Sequence, residues 1–297
     1  MKENNKMPKV YTIMWAVIAV AYGLWMSIFM SWNQYESINP EPFLELPTDA
    51  FVKMFDGVLQ KPMYPSALIY WIWVIGSTIL LFLYPVFIKK ILYSDKLSKA
   101  TTIFCVINLF VGCAFITVYG FLDYPEQFGN ILTDVTASML GLKYPWLFKC
   151  WGVFASLSIF TNTLYMYRKN NYFSKFGVIV TSIGCASIFV TINVPSAGLD
   201  LVATPRCLGH WSTALIFAFL AAAGIIVFLI HMVKTKDKKY IVATILFAAI
   251  LALMLVLLVT VGKSAFIENL PMWVAYILLF VVNFTSFFDN KKETSKV

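Results

Sequence analysis

The sequence predicts an all-α polytopic membrane protein: eight transmembrane helices, N- and C-termini cytoplasmic, and two outer-face amphipathic helices. Three observations carry this reading. Of the 297 residues, 60% are hydrophobic and only 13% charged, whereas a water-soluble surface needs about a quarter charged residues. Eight uncharged runs approach the ~20 residues that a helix needs to cross a bilayer core. The connecting segments alternate in Lys and Arg, with 17 of the 23 basic residues on one side against five of the 15 acids, and the basic side of a membrane protein is cytoplasmic.

The spans fall at about 10–32, 66–88, 100–122, 150–167, 176–194, 211–233, 240–262 and 270–288 of a single membrane domain covering 1–297. The first follows a basic start, Met1 to Lys9. It offers a signal-like Ala19-Val20-Ala21 cleavage pattern but runs on to Trp32, too long for a signal peptide's apolar core of roughly 7–15 residues, so it is read as an uncleaved span. The second carries Pro85, which should kink it near its cytoplasmic end.

Polar residues concentrate in the fourth and fifth spans: Ser156, Ser158, Thr161, Asn162 and Thr163, then Thr181, Ser182, Thr191 and Asn193. They either line a passage for a polar or lipid headgroup or serve helix packing, with Gly184, Ala186 and Ser187 as a close-approach surface. The packing reading is the simpler. The only two histidines, His210 and His231, lie at opposite ends of one predicted helix and about 31 Å apart by helical rise, so they cannot share one haem iron. The seventh span is apolar apart from Thr244 and Thr260 and should face lipid or pack among apolar neighbours. In the eighth, Asn283-Phe284-Thr285 has the glycan acceptor pattern but lies inside the span.

The outer loops, 33–65, 123–149 and 195–210, are unequal. In the first, Pro47-Thr48-Asp49 starts a helix with Phe51, Val52, Phe55, Val58 and Leu59 on one face. In the second, Pro125-Glu126 starts a run with Phe128, Ile131, Leu132, Val135 and Met139 on one face and Gln127, Asn130, Asp134 and Ser138 on the other. Each reads as an interfacial helix. Both loops end in a Lys ahead of a Tyr-Pro pair, Lys61 with Tyr64-Pro65 and Lys143 with Tyr144-Pro145, followed by a Trp-bearing span. This is the pattern of a parallel internal repeat, although Pro at a helix start and Tyr or Trp at an interface are common to any span. Leu59, Lys61 and Pro62 with Trp71 and Trp73 resemble the loop and second span of the tryptophan-rich sensory proteins. Those proteins have five spans, and the short resemblance implies no function.

The cluster of reactive residue types is the third loop, where Asp200, Arg206, Cys207 and His210 come to the outer headgroup level. Arg206 and His210 at the positive end of the sixth helix suit an anionic headgroup. With Cys207 or Ser196 as nucleophile and His210 as base, the same loop would make an acyl- or phosphate-transfer set. The ligand-binding expectation therefore rests on Arg206, His210, Asp200, Asn162 and Asn193. The five cysteines show no metal spacing and read as small buried side chains, a Cys150–Cys207 bridge being the alternative.

No Asp, Glu, Lys or Arg lies mid-span, which disfavours ion-coupled pumps, voltage sensors and retinal pigments. Neither a nucleotide-binding loop nor a metal set is present, so no cofactor is expected. The basic residues are scattered over short loops, an insertion signal and not a nucleic-acid surface. Three functions compete: transport, flipping or binding of a small polar or lipidic molecule at the outer leaflet of the cell membrane; a membrane-embedded lipid or cell-envelope enzyme using 195–210; and a non-catalytic subunit or receptor docking a partner protein through its outer loops. Membrane lipids are the expected partners, and the sequence leans to the first.

Overall fold

A chain in lipid must satisfy its backbone hydrogen bonds internally, and a run of apolar residues does so by coiling. The computed structural model describes residues 7–38, 67–121, 136–194, 205–234, 237–262 and 264–288. Among them, every regular element is an α-helix: α1 (Lys9–Ile38), α2 (Ala67–Leu92), α3 (Lys99–Gly120), the short α4 (Ala137–Lys143), α5 (Pro145–Lys169), α6 (Lys175–Thr191), α7 (Pro205–Val233), α8 (Lys238–Thr260) and α9 (Ala265–Phe284). Each predicted span corresponds to one long helix.

The helix starts follow local chemistry. Ser98, Ser174, Asp237 and Ser264 each accept a hydrogen bond from a backbone N–H of the first turn that has no partner within the helix, at 2.9–3.2 Å. α5 and α7 instead begin with Pro145 and Pro205, whose missing N–H costs nothing in a first turn. The second start moves a boundary: residues 205–210, read from the sequence as loop, are the first turns of α7. Between α5 and α6 the chain reverses through Asn171, whose φ of 50° places it in the left-handed region that Asn tolerates.

Seven helices are long and apolar enough to cross a membrane, namely α1, α2, α3, α6, α7, α8 and α9. α5 is long enough at 25 residues, about 37 Å by rise. Its Lys149, Arg168 and Lys169 and its hydroxyl and amide side chains keep its hydropathy down. Tertiary packing compensates, because α5 is the central helix and touches α2, α3, α4, α6, α7 and α9. Ser156, Ser158, Thr161, Asn162 and Thr163 are all fully buried along it. At the periphery, α8 fully buries only Tyr240 and Phe247, packs Ala243 and Leu251 partly against the core, and leaves much of its remaining surface exposed.

The most extensive helix pair is α6 with α7. Gly184 of α6 lies against the α7 backbone, where a Cβ would come within 2.7 Å of the Ala221 nitrogen, and Gly224 of α7 lies against Thr181. This close approach is the one the small residues of α6 suggested. Elsewhere the core is aromatic: Trp15, Tyr84 and Phe160 join α1, α2 and α5 with ring centroids 4.4–5.5 Å apart.

The first expected surface helix, 49–60, lies outside the described residues. The second, starting at Pro125, enters them only at its end, where helix is found over Ala137–Lys143. The Trp residues that follow the two Tyr-Pro pairs do meet, Trp73 and Trp146 lying 5.4 Å apart between α2 and α5.

Candidate functional site

At the end of the bundle opposite the basic loops, α6 finishes in a turn, residues 191–194, whose carbonyl groups have no further helical turn to pair with. Lys149 of α5 and His210 of α7 meet this turn, and the turn's own Asn193 reaches back to α1. Lys149 of α5, fully buried, donates to the Ile192 carbonyl at 3.4 Å and lies over the Trp73 ring. Asn193 donates through Nδ2 to the Phe189 carbonyl at 2.8 Å and to the Tyr22 hydroxyl of α1 at 3.0 Å. His210 of α7, 1% exposed, directs Nδ1 at the Val194 carbonyl, 2.6 Å, and the Thr191 carbonyl, 3.0 Å.

The carbonyls settle the tautomer of His210. They can only accept, so Nδ1 carries a proton, and in the neutral ring Nε2 presents a lone pair. That lone pair lies 2.6 Å from the Oγ of Ser138 on α4, which therefore donates. Serine, imidazole and carbonyl thus form one directed chain. α4 is anchored on both sides, since Ala137 accepts from the Tyr119 hydroxyl of α3 and its N–H donates to Glu268 of α9 at 2.9 Å. The His210 ring also faces Phe148, which stacks on Tyr119 and Trp151.

A lateral groove of about 670 Å³ opens between α1, α6 and α7. Ile18, Ala21, Tyr22 and Trp25 form one wall, Ile183, Ala186, Ser187 and Val190 the second, and Gly209, Ser212, Thr213 and Ile216 the third. The groove and the turn share structure: Thr213 bonds Thr191 at 2.9 Å, and Tyr22 holds Asn193.

The residues expected to bind a ligand are thus dispersed. His210 and Asn193 converge on the 191–194 turn. Asn162 lies elsewhere, in the middle of α5, where its Nδ2 donates to the Ser158 and Cys105 carbonyls at 2.9 and 3.2 Å. Its own carbonyl accepts from Asn283 at 3.0 Å. Its neighbours are similarly engaged: Ser156 bonds the Cys185 carbonyl and Tyr84, both at 2.6 Å, Ser158 bonds Tyr276, and Asn108 donates to Thr161 at 3.0 Å. These contacts knit helices together across the bundle. Asp200 lies outside the described residues, and Arg206 is in the first turn of α7 with its side chain outside them. Cys150 is a free thiol, so the alternative of a Cys150–Cys207 bridge is corrected. His231, at the far end of α7, packs its ring 4.6 Å from Tyr172.

Ser138 is the residue that the sequence did not single out as reactive. Its one signal was its place on the polar face of the expected surface helix, which brings it to the level of His210. No protein family matches this chain, and neither a curated protein nor a solved structure matches it.

Proposed function

We propose that the chain is an eight-span protein of the cell membrane, with both termini cytoplasmic, that binds an outer-leaflet lipid through one acyl chain in the groove between α1, α6 and α7. The observation that carries this reading is the groove itself. Its lining is almost wholly apolar, its volume is within the roughly 300–1,000 Å³ of small-ligand sites, and Trp25, Ile183 and Ile216 beside it are exposed at membrane depth.

The polar groups are at one end. Ser212 and Thr213 border the groove one helical turn from His210, while the deeper wall is Ile18, Ile183 and Ile216. A lipid aligned with the bilayer would place its tail against the second set and its glycerol or headgroup beside the first. The basic-residue asymmetry supports assigning that end to the outer leaflet.

Ser212→Trp puts an indole into the mouth of the groove from an exposed position. Native mass spectrometry of the protein in nanodiscs of dioleoylphosphatidylglycerol should find retained lipid on the wild type and at least a tenfold loss on this variant. Equal retention by the two would refute the groove as the binding site. A stoichiometric protein partner in place of lipid would make the chain a subunit.

A further inference from the structure

We infer that Ser138 and His210 form a catalytic dyad, with Ser138 as the nucleophile of an acyl-transfer reaction on an ester. The identity of the ester as a membrane lipid rests on the groove reading, whereas the dyad rests on its own geometry. A serine hydroxyl is a weak nucleophile unless a base takes its proton, and a base is effective only when its tautomer and orientation are fixed by a third group. All three parts are present: the Ser138 Oγ lies 2.6 Å from His210 Nε2, and His210 Nδ1 is held by the Val194 carbonyl at 2.6 Å. The carbonyl occupies the position that a carboxylate fills in Ser-His-Asp enzymes.

The surroundings set the two partners apart from a structural pair. His210 is buried, whereas Ser138 is only partly so. The backbone of Ser138 is immobilised through Ala137, held by Tyr119 from α3 and Glu268 from α9.

The chemistry balances without any added redox partner. Ser138 Oγ attacks the ester carbonyl carbon as its proton passes to His210 Nε2. The tetrahedral adduct then expels the alcohol, which leaves with the proton from Nε2, and Ser138 carries the acyl group. Water or a second hydroxyl compound attacks the acyl-serine, gives its proton to His210 and releases the acid or the new ester, and the proton returns to Ser138. No acidic side chain is required, because the imidazolium formed on the way keeps its Nδ1 hydrogen bond to two carbonyls.

A fluorophosphonate tests this on the purified full-length protein, since it phosphonylates only an activated serine and does not need a lipid. The wild type should be labelled on a single peptide containing Ser138. Ser138→Ala should lose the label, and His210→Asn, whose carboxamide can still donate to the Val194 carbonyl, should be labelled about 100-fold more slowly, the low end of a general base's contribution. The melting temperature of each variant shows that the fold is kept, and Ser138→Cys, reacting with iodoacetamide faster than Ser138→Cys/His210→Asn, gives a second readout. An unlabelled wild type, or labelling that survives Ser138→Ala, would overturn the dyad. Labelling that persists in Ser212→Trp after lipid retention is lost would leave the dyad standing and confine the failure to the lipid.

Discussion

Replacement of Gly184 by Ala tests the closest approach of a glycine to a neighbouring helix backbone among the described residues, and its size can be worked from the geometry. The new Cβ would stand 2.7 Å from the Ala221 nitrogen and 3.0 Å from the Leu220 carbonyl carbon. Both are backbone atoms, so no side chain can turn aside. Ordinary contact begins near 3.4 Å, so α6 and α7 must part by about 0.7 Å. A gap of that size forfeits roughly a quarter to a half of the dispersion energy across the face, and such overpacking costs about 1–3 kcal/mol. The Thr191–Thr213 bond, now 2.9 Å, and the Ser187–Thr213 carbonyl bond, now 3.0 Å, would lengthen beyond useful range, each worth about 0.6 kcal/mol in a membrane protein. Gly184→Ala should therefore lose about 2–4 kcal/mol in all.

Gly224→Ala is the internal control. Its Cβ meets the Thr181 hydroxyl and, at 3.2 Å, the Thr181 Cβ, a side chain and not a backbone. Thr181→Ala should therefore relieve most of the Gly224→Ala cost and none of the Gly184→Ala cost. Unfolding in detergent, followed by tryptophan fluorescence, reads both. A Gly184→Ala protein as stable as the wild type, or one rescued equally by Thr181→Ala, would refute the reasoning.

Three further outcomes are expected. Ser156→Ala strips the buried Tyr84 hydroxyl of its 2.6 Å partner and should cost about 1–3 kcal/mol; adding Tyr84→Phe should restore part of it in the same unfolding measurement. Asn162→Leu removes two interhelical and intrahelical donations and should lower stability by up to about 1.7 kcal/mol without changing lipid retention in nanodiscs, so retention lost at unchanged stability would make Asn162 a ligand group. Lys96→Cys and Val261→Cys, at exposed positions on opposite ends of the bundle, should react differently with a membrane-impermeant maleimide on intact cells: Val261→Cys modified, Lys96→Cys protected. The reverse pattern would invert the assigned orientation.

The long helices were legible because each is announced locally. An uncharged run bounded by Lys at one end and by Ser, Asp or Pro at a start is helical whatever surrounds it, and all eight runs are helical in the structure. Where the expectation shifted, the cause was also local, as at Pro205, which begins α7 before the apolar run does. α5 was harder. Its buried Ser, Thr and Asn residues read equally as a polar passage and as packing, and the choice depends on whether their partners are carbonyls and hydroxyls of neighbouring helices. The Ser156–Tyr84 and Asn108–Thr161 bonds show that they are.

The candidate site was half legible. His210 stood out as a rare residue at a helix end, and Asn193 as an amide at another. Ser138 did not, because it lies 72 positions from His210 and no spacing rule links a serine in one helix to an imidazole three helices later. The sequence by itself determined which segments are apolar enough to leave water, since this follows from side-chain transfer energies along the chain. Only the tertiary structure decided that the polar α5 goes to the centre, that α6 and α7 approach through Gly184 and Gly224, and that Ser138, His210 and the Val194 carbonyl line up. Those outcomes depend on distances between residues far apart in the chain, set when the helices pack.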